Sequence, residues 1–156
     1  MADSVNKDGK LYICATAAEG DLDQAAYEAL TWVEVENIVE LPVFGVTENI
    51  LTQNYIAGNS GKRKGNKNGA DTTLVLGFDS AKTGQAAVRT AAATKFTYPL
   101  KRELNDKATA AATANTIIYT RAVIGIGEYS GGASEDFVHI THPIGIDQTP
   151  IMVASA

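Results

Sequence analysis

The stretch that most constrains the fold is residues 116–128, TIIYTRAVIGIGE. It is rich in β-branched residues and alternates, with Ile118, Ala122, Ile124 and Ile126 on one face and Tyr119, Arg121 and Val123 on the other. A period of two belongs to a strand with one face on a core, not to a helix. Such a strand needs partners, and the chain carries several short runs of the same kind. Residues 10–15 (KLYICA), 72–78 (TTLVLGF), 96–100 (FTYPL) and 136–146 (DFVHITHPIGI) read as strands between turn-forming clusters. Pro99 lacks a donor for a ladder, which predicts a short strand or one at a sheet edge. Residues 31–42 (TWVEVENIVELP) alternate and then change phase, as a strand with a bulge near Asn37 would.

Helix is scarce. Residues 81–93, rich in Ala with Gln, Lys and Arg, suit a helix, with Asp79 or Ser80 placed to cap it and Gly84 weakening it slightly. One further helical turn is read at residues 24–30. The whole is expected to be mainly β: a β-sandwich or open barrel of about six to eight strands with one flanking α-helix. At 156 residues the chain suits a single domain, 1–156, with an N-terminal arm at 1–9 and a C-terminal arm at 147–156.

Between the strands lies residues 58–71, GNSGKRKGNKNGAD, in which no aliphatic side chain is larger than Ala. It reads as the distal part of a long, flexible, basic inter-strand loop, 49–71. Four of the thirteen basic residues, Lys62, Arg63, Lys64 and Lys67, fall in it, leaving nine bases against eighteen acids in the rest of the chain. An acidic body with one basic excursion is a poor duplex-DNA binder and a better candidate for pairing with its own copies. Tyr55 and Ile56, flanking the 58–71 stretch, could anchor such a contact, and Glu34 and Glu36 are read on the polar face of their strand.

The sequence carries no recognisable set of catalytic, cofactor-binding or metal-ligating residues. Gly125-x-Gly127-x-x-x-Gly131 precedes a strand, whereas a dinucleotide loop must open a helix. In residues 58–65, Arg63 stands where a phosphate-binding loop needs Ser or Thr. His139 and His142 lie three apart on a strand and so face opposite ways. The lone Cys14 can form no intrachain disulfide. No run is long and apolar enough to span a membrane, and the N-terminus lacks the order of a signal peptide, so synthesis in the cytoplasm is expected.

Trp32, Val35, Ile38 and Leu41-Pro42, the long loop with Tyr55 and Gly58, the strand at 72–79 running into a helix at Gly84-Gln85-Ala86-Ala87, the Phe96-Thr97-Tyr98 strand and the two closing strands form an ordered series. Over residues 31–145 this series resembles the tail tube protein, or major tail protein, of long-tailed bacteriophages. The resemblance implies a structural virion protein, not an enzyme. It implies a β-sandwich flanked by a helix, hexameric rings stacked into a hollow tube, and genome DNA passing through a negative lumen without specific binding. It also implies inter-ring contacts by the loop (Tyr55, Ile56, Lys62, Arg63, Lys64, Lys67) and by the arms. Glu34 and Glu36 would then face the lumen, and the tape measure, tail tip and tail terminator proteins would be partners. No cofactor and no membrane is implied. The tube protein of a contractile tail or secretion system stays open as an alternative, as does a β-sandwich module binding carbohydrate or peptide.

Overall fold

A computed structural model describes residues 7–107 and 114–155; the first six positions and the last one of the expected arms, and positions 108–113, lie outside that range. In chain order the elements are β1 (Lys10–Ile13), α1 (Gln24–Glu28), β2 (Val33–Val35), β3 (Ile38–Glu40), β4 (Val46–Asn54), β5 (Ser60–Gly69), β6 (Asp71–Gly77), α2 (Thr83–Ala92), β7 (Thr97–Glu103), β8 (Ile117–Ile124), β9 (Glu128–Ser130), β10 (His139–Ile146) and β11 (Ile151–Val153). Nine strands join one antiparallel sheet in the order β2-β1-β7-β8-β10-β6-β3, with β11 also beside β8 and β9 also beside β10. The expected mainly β fold with a flanking helix is what forms.

The sheet's shape follows from its ends. β2 and β3 stand at opposite edges, yet only Glu36 and Asn37 separate them in sequence. The sheet therefore curls until its two edges come near each other, without pairing them. The turn between them needs a left-handed residue, and Asn37, at φ +60°, tolerates that region better than most. The phase change in residues 31–42 is thus a break between two strands rather than one continuous strand, and the expected bulge appears just past Asn37, where the β3–β6 register shifts between Ile38 and Glu40.

α2 packs beside the gap, against β2, β1 and β8. A Cβ on Gly84 would collide with the Glu34 carbonyl, so glycine here permits the close approach of helix to strand. The buried Gln85 ties the link between the two edge strands to the end of β6: its Nε2 donates to Glu36 O (3.0 Å) and Gly77 O (2.8 Å), while its Oε1 accepts from Asp79 N (3.1 Å). Neither Asp79 nor Ser80 is the helix cap. That position falls to Lys82, which makes no side-chain cap bond, while Asp79 Oδ1 accepts from Ala81 N in the preceding turn.

Inside the curl, Leu11, Ile13, Val35, Leu74, Leu76, Leu100, Ala122, Ile124, Ile140 and Ile144 meet Val88 and Ala91 of α2. On β8 the core face ends at Ile124. Ile126, expected on that face, lies beyond the strand and is 77% exposed. The other face of β8 is covered in part by the 14–31 segment. Its helix α1 is capped by Asp23, whose Oδ1 accepts from Ala26 N at 2.8 Å. Tyr27 stacks on Tyr119 with ring centroids 5.1 Å apart and donates its hydroxyl to Gln148 Oε1 at 2.6 Å. Arg121, only 6% exposed, reaches Asp21 (2.9 Å) and Asp147 (2.7 Å), so it fastens the segment before α1 and the chain after β10 to the same strand.

Two further expectations change. β7, with Pro99, is an interior strand between β1 and β8 rather than an edge. Proline fits because its donorless side looks toward β1 where β1 has ended: Pro99 O accepts from Cys14 N at 3.1 Å, one residue past Ile13. The basic stretch 58–71 is not an unstructured loop. Most of it is β5, which pairs with β4 in a separate two-stranded sheet.

Candidate assembly surfaces

The β4–β5 hairpin is the largest feature that the body does not absorb. Its base is clamped: Ile146 N donates to Ala70 O (2.9 Å), Ala70 N to Gly45 O (2.9 Å), and Gly69 passes so close to Ile146 O that no Cβ would fit. Beyond the base, the two strands pack chiefly on each other. β4 supplies the strand-forming residues, with Ile50 opposite Lys64, Leu51 opposite Arg63 and Thr52 opposite Lys62. The lysine and arginine stems can lie along these neighbours while their charged ends reach water.

The four basic residues come together on β5 but are not equivalent. Lys64 and Lys67 both approach Glu48, at 3.7 and 3.8 Å. These are solvent-exposed pairs, each contributing about 0–1 kcal/mol. Lys62 donates to Thr52 Oγ1 at 3.0 Å, and Arg63 forms no ion pair among the described residues. Positive charge not offset within the hairpin therefore sits toward its tip. There Tyr55 lies over Gly61, and Ile56 is fully exposed in the turn.

Glu34 and Glu36, expected together on one strand face, separate. Glu34 is exposed on β2 opposite Tyr12, while Glu36 lies past the strand end and pairs with Lys82 at 3.2 Å. Around Glu34 the open face of the sheet is polar and aromatic. Lys101 Nζ lies 4.3 Å from the Tyr12 ring centroid and 5.2 Å from that of Trp32. Burial, with Glu103 and Glu34 adding to it, pushes the Tyr12 hydroxyl up to about 12.

His139 and His142 do face opposite ways on β10, His142 inward and buried. Among the described residues no three His, Cys, Asp or Glu side chains converge as a metal site, and no helix is long and apolar enough to cross a membrane. Sequence reasoning missed the Arg121 clamp, the Gln85 bridge and a small cavity beside α2 lined by Arg89 and His142. The only available signal was an arginine inside a strongly alternating strand.

By sequence the chain matches no protein-family model and no curated protein. Its backbone is similar to those of solved structures. The sheath/tube terminator of an extracellular contractile injection system, PVC, in its extended state superposes with a TM-score of 0.69 at 12% identity, over 99% of each chain. The SPP1 tail tube superposes with a TM-score of 0.64 at 14% identity, over 97% of this chain and 80% of that one. This is the tail-tube fold.

Proposed function

We propose that the chain is a structural virion protein whose copies close into hexameric rings, and that these rings stack into the hollow phage tail tube through which DNA is delivered to the host. The observation that carries this reading is the hairpin. A lone two-stranded sheet is marginal in water, and a ten-residue strand with open edges and an exposed apolar tip gains its missing contacts from a neighbour. Heterologous contacts of this kind close into rings or run on as filaments. Tyr55, Ile56, Lys62, Arg63, Lys64 and Lys67 form the inter-ring contact, with Lys62 and Arg63 contributing most because no acid within the hairpin offsets them.

Charge reversal at Lys62 and Arg63 is expected to reduce tube yield in negative-stain microscopy at least severalfold, with the circular dichroism and melting of the monomer unchanged. Undiminished tubes would remove the hairpin from the contact. Glu34, and less directly Glu36, are assigned to the lumen, where carboxylates repel phosphate and let DNA slide. A tube reconstruction with Glu34 on the outer surface excludes that assignment. The tape measure, tail tip and tail terminator proteins are the further partners, the virion tail is the destination and the host cytoplasm the place of assembly.

A second reading has its own support. The contractile injection-system terminator is matched end to end, over 99% of both chains. A subunit of a contractile tube, or a ring that ends one, fits that match. Open-ended polymerisation of the purified chain favours the tube, and rings that stop at one layer favour the terminator.

A further inference from the structure

Between the C-terminal half of α2 and β9 lies a cavity of about 240 Å3, lined by Arg89, Ala92, Ala93, Ile126, Tyr129 and His142 among others. Its mouth is apolar: Ile126 and Tyr129 are exposed, and Phe78 meets Tyr129 edge-on at 5.3 Å. Two polar atoms that belong to its lining residues are buried with no hydrogen-bond partner among the described residues, His142 Nε2 and Arg89 Nη1. His142 is 1% exposed and its Nδ1 lies 3.0 Å from Gly125 O. A carbonyl only accepts, so Nδ1 carries the proton and Nε2 is a bare acceptor. Arg89 Nη1 only donates. Both atoms are sealed from the open space, so what the cavity offers an occupant is its apolar lining, Ala92, Ala93 and Ile126 among it.

The hairpin tip supplies an apolar side chain of the right kind. Ile56 is fully exposed, and the turn is closed by Tyr55 N to Asn59 O (2.9 Å) and Gly58 N to Tyr55 O (3.0 Å), neither of which uses the peptide groups of Ile56. Charge matches as well. Lys62 and Arg63 flank the tip, whereas Glu128, Glu135 and Asp136, all exposed, lie on β9 and the turn after it. Building on the reading of the hairpin as the bridge between copies, we propose that Ile56 of one copy seats in this cavity of a second copy. Its side chain then lies against Ala92, Ala93 and Ile126, while Lys62 and Arg63 face Glu128, Glu135 and Asp136.

The test is a full-length Ile56→Cys/Ile126→Cys double variant, in a chain whose native Cys14 is buried. Oxidised assemblies should give a covalent ladder of two, three and more chains on a non-reducing gel, absent from either single variant. Assemblies without a ladder overturn this cavity as the receptor; the hairpin reading survives them if removal of residues 47–68 stops assembly, and falls too if it does not. A wild-type chain that stays monomeric at every concentration overturns both. Should the double variant fail to assemble, Ile126→Asp decides instead. The critical concentration should rise about tenfold or more, the loss expected for a buried aliphatic side chain. Pairing Lys62→Glu/Arg63→Glu with Glu128→Lys/Glu135→Lys should recover assembly. Normal assembly by Ile126→Asp, or no recovery by the charge swap, overturns the proposal.

Discussion

A glutamine with no exposed surface must have its amide answered on both sides, and Gln85 is answered three times, by the link between β2 and β3 and by the end of β6 with the turn after it. Gln85→Leu keeps the volume but strands Glu36 O, Gly77 O and Asp79 N. At about 1 kcal/mol or more for each group left without a partner, the variant should lose about 3 kcal/mol in urea unfolding. A loss below about 1 kcal/mol would mean that water reaches the gap and the bridge contributes little. His142 makes a different demand. Burial, reinforced by the neighbouring Arg89, holds its imidazole below the usual histidine range. The folded state thus resists a proton that the unfolded chain accepts at about pH 6.5. The stability linked to this neutral ring is complete above that pH and is lost as pH falls from there through the lower folded value. The melting temperature should drop between pH 6.5 and 5, and His142→Phe should flatten the profile over that window. An identical slope in the variant would assign the loss to other groups.

Elements were legible wherever local pattern and tertiary context agreed. β1, β6, β8, β10 and α2 follow from alternation or from alanine-rich composition, and each lies within a few residues of its expected place. The failures share a cause: each depended on a partner distant in sequence. Pro99 belongs inside the sheet only because β1 stops one residue short of needing its missing N–H. The 31–42 run reads as one strand because nothing local shows that its two halves form the opposite edges of the sheet, one on β1 and the other on β6. Residues 60–69 have almost no strand propensity of their own and become β5 by pairing with β4, whose Glu48 also draws in Lys64 and Lys67. Of the candidate site, the basic residues and the apolar anchors were readable, because charge clustering and exposed aromatics need no fold to be seen. The cavity beside α2 was not, since Arg89, Ile126 and His142 come from three separate stretches of chain.

At the scale of the whole molecule, the chain divides into a body held by its own contacts and a hairpin that is not. The body has a continuous core, a buried arginine with two carboxylates and a glutamine across its open seam. The hairpin has its ladder, an anchored base and little else. Ladder hydrogen bonds unsupported by buried apolar surface open at low free-energy cost, so this part belongs at the low-stability end of the structure. A neighbour that covers Ile50, Leu51 or Ile56 supplies the missing burial and shifts that local equilibrium toward the closed form. Amide hydrogen exchange separates the two states directly. In dilute monomer the amides of residues 47–68 should exchange much faster than those of β8 and β10, and in assembled material they should slow by about tenfold or more while the β8 and β10 amides change little. Hairpin amides that are as protected in the monomer as in the assembly would show a rigid, self-sufficient element, and the claim that it is completed by another copy would fail.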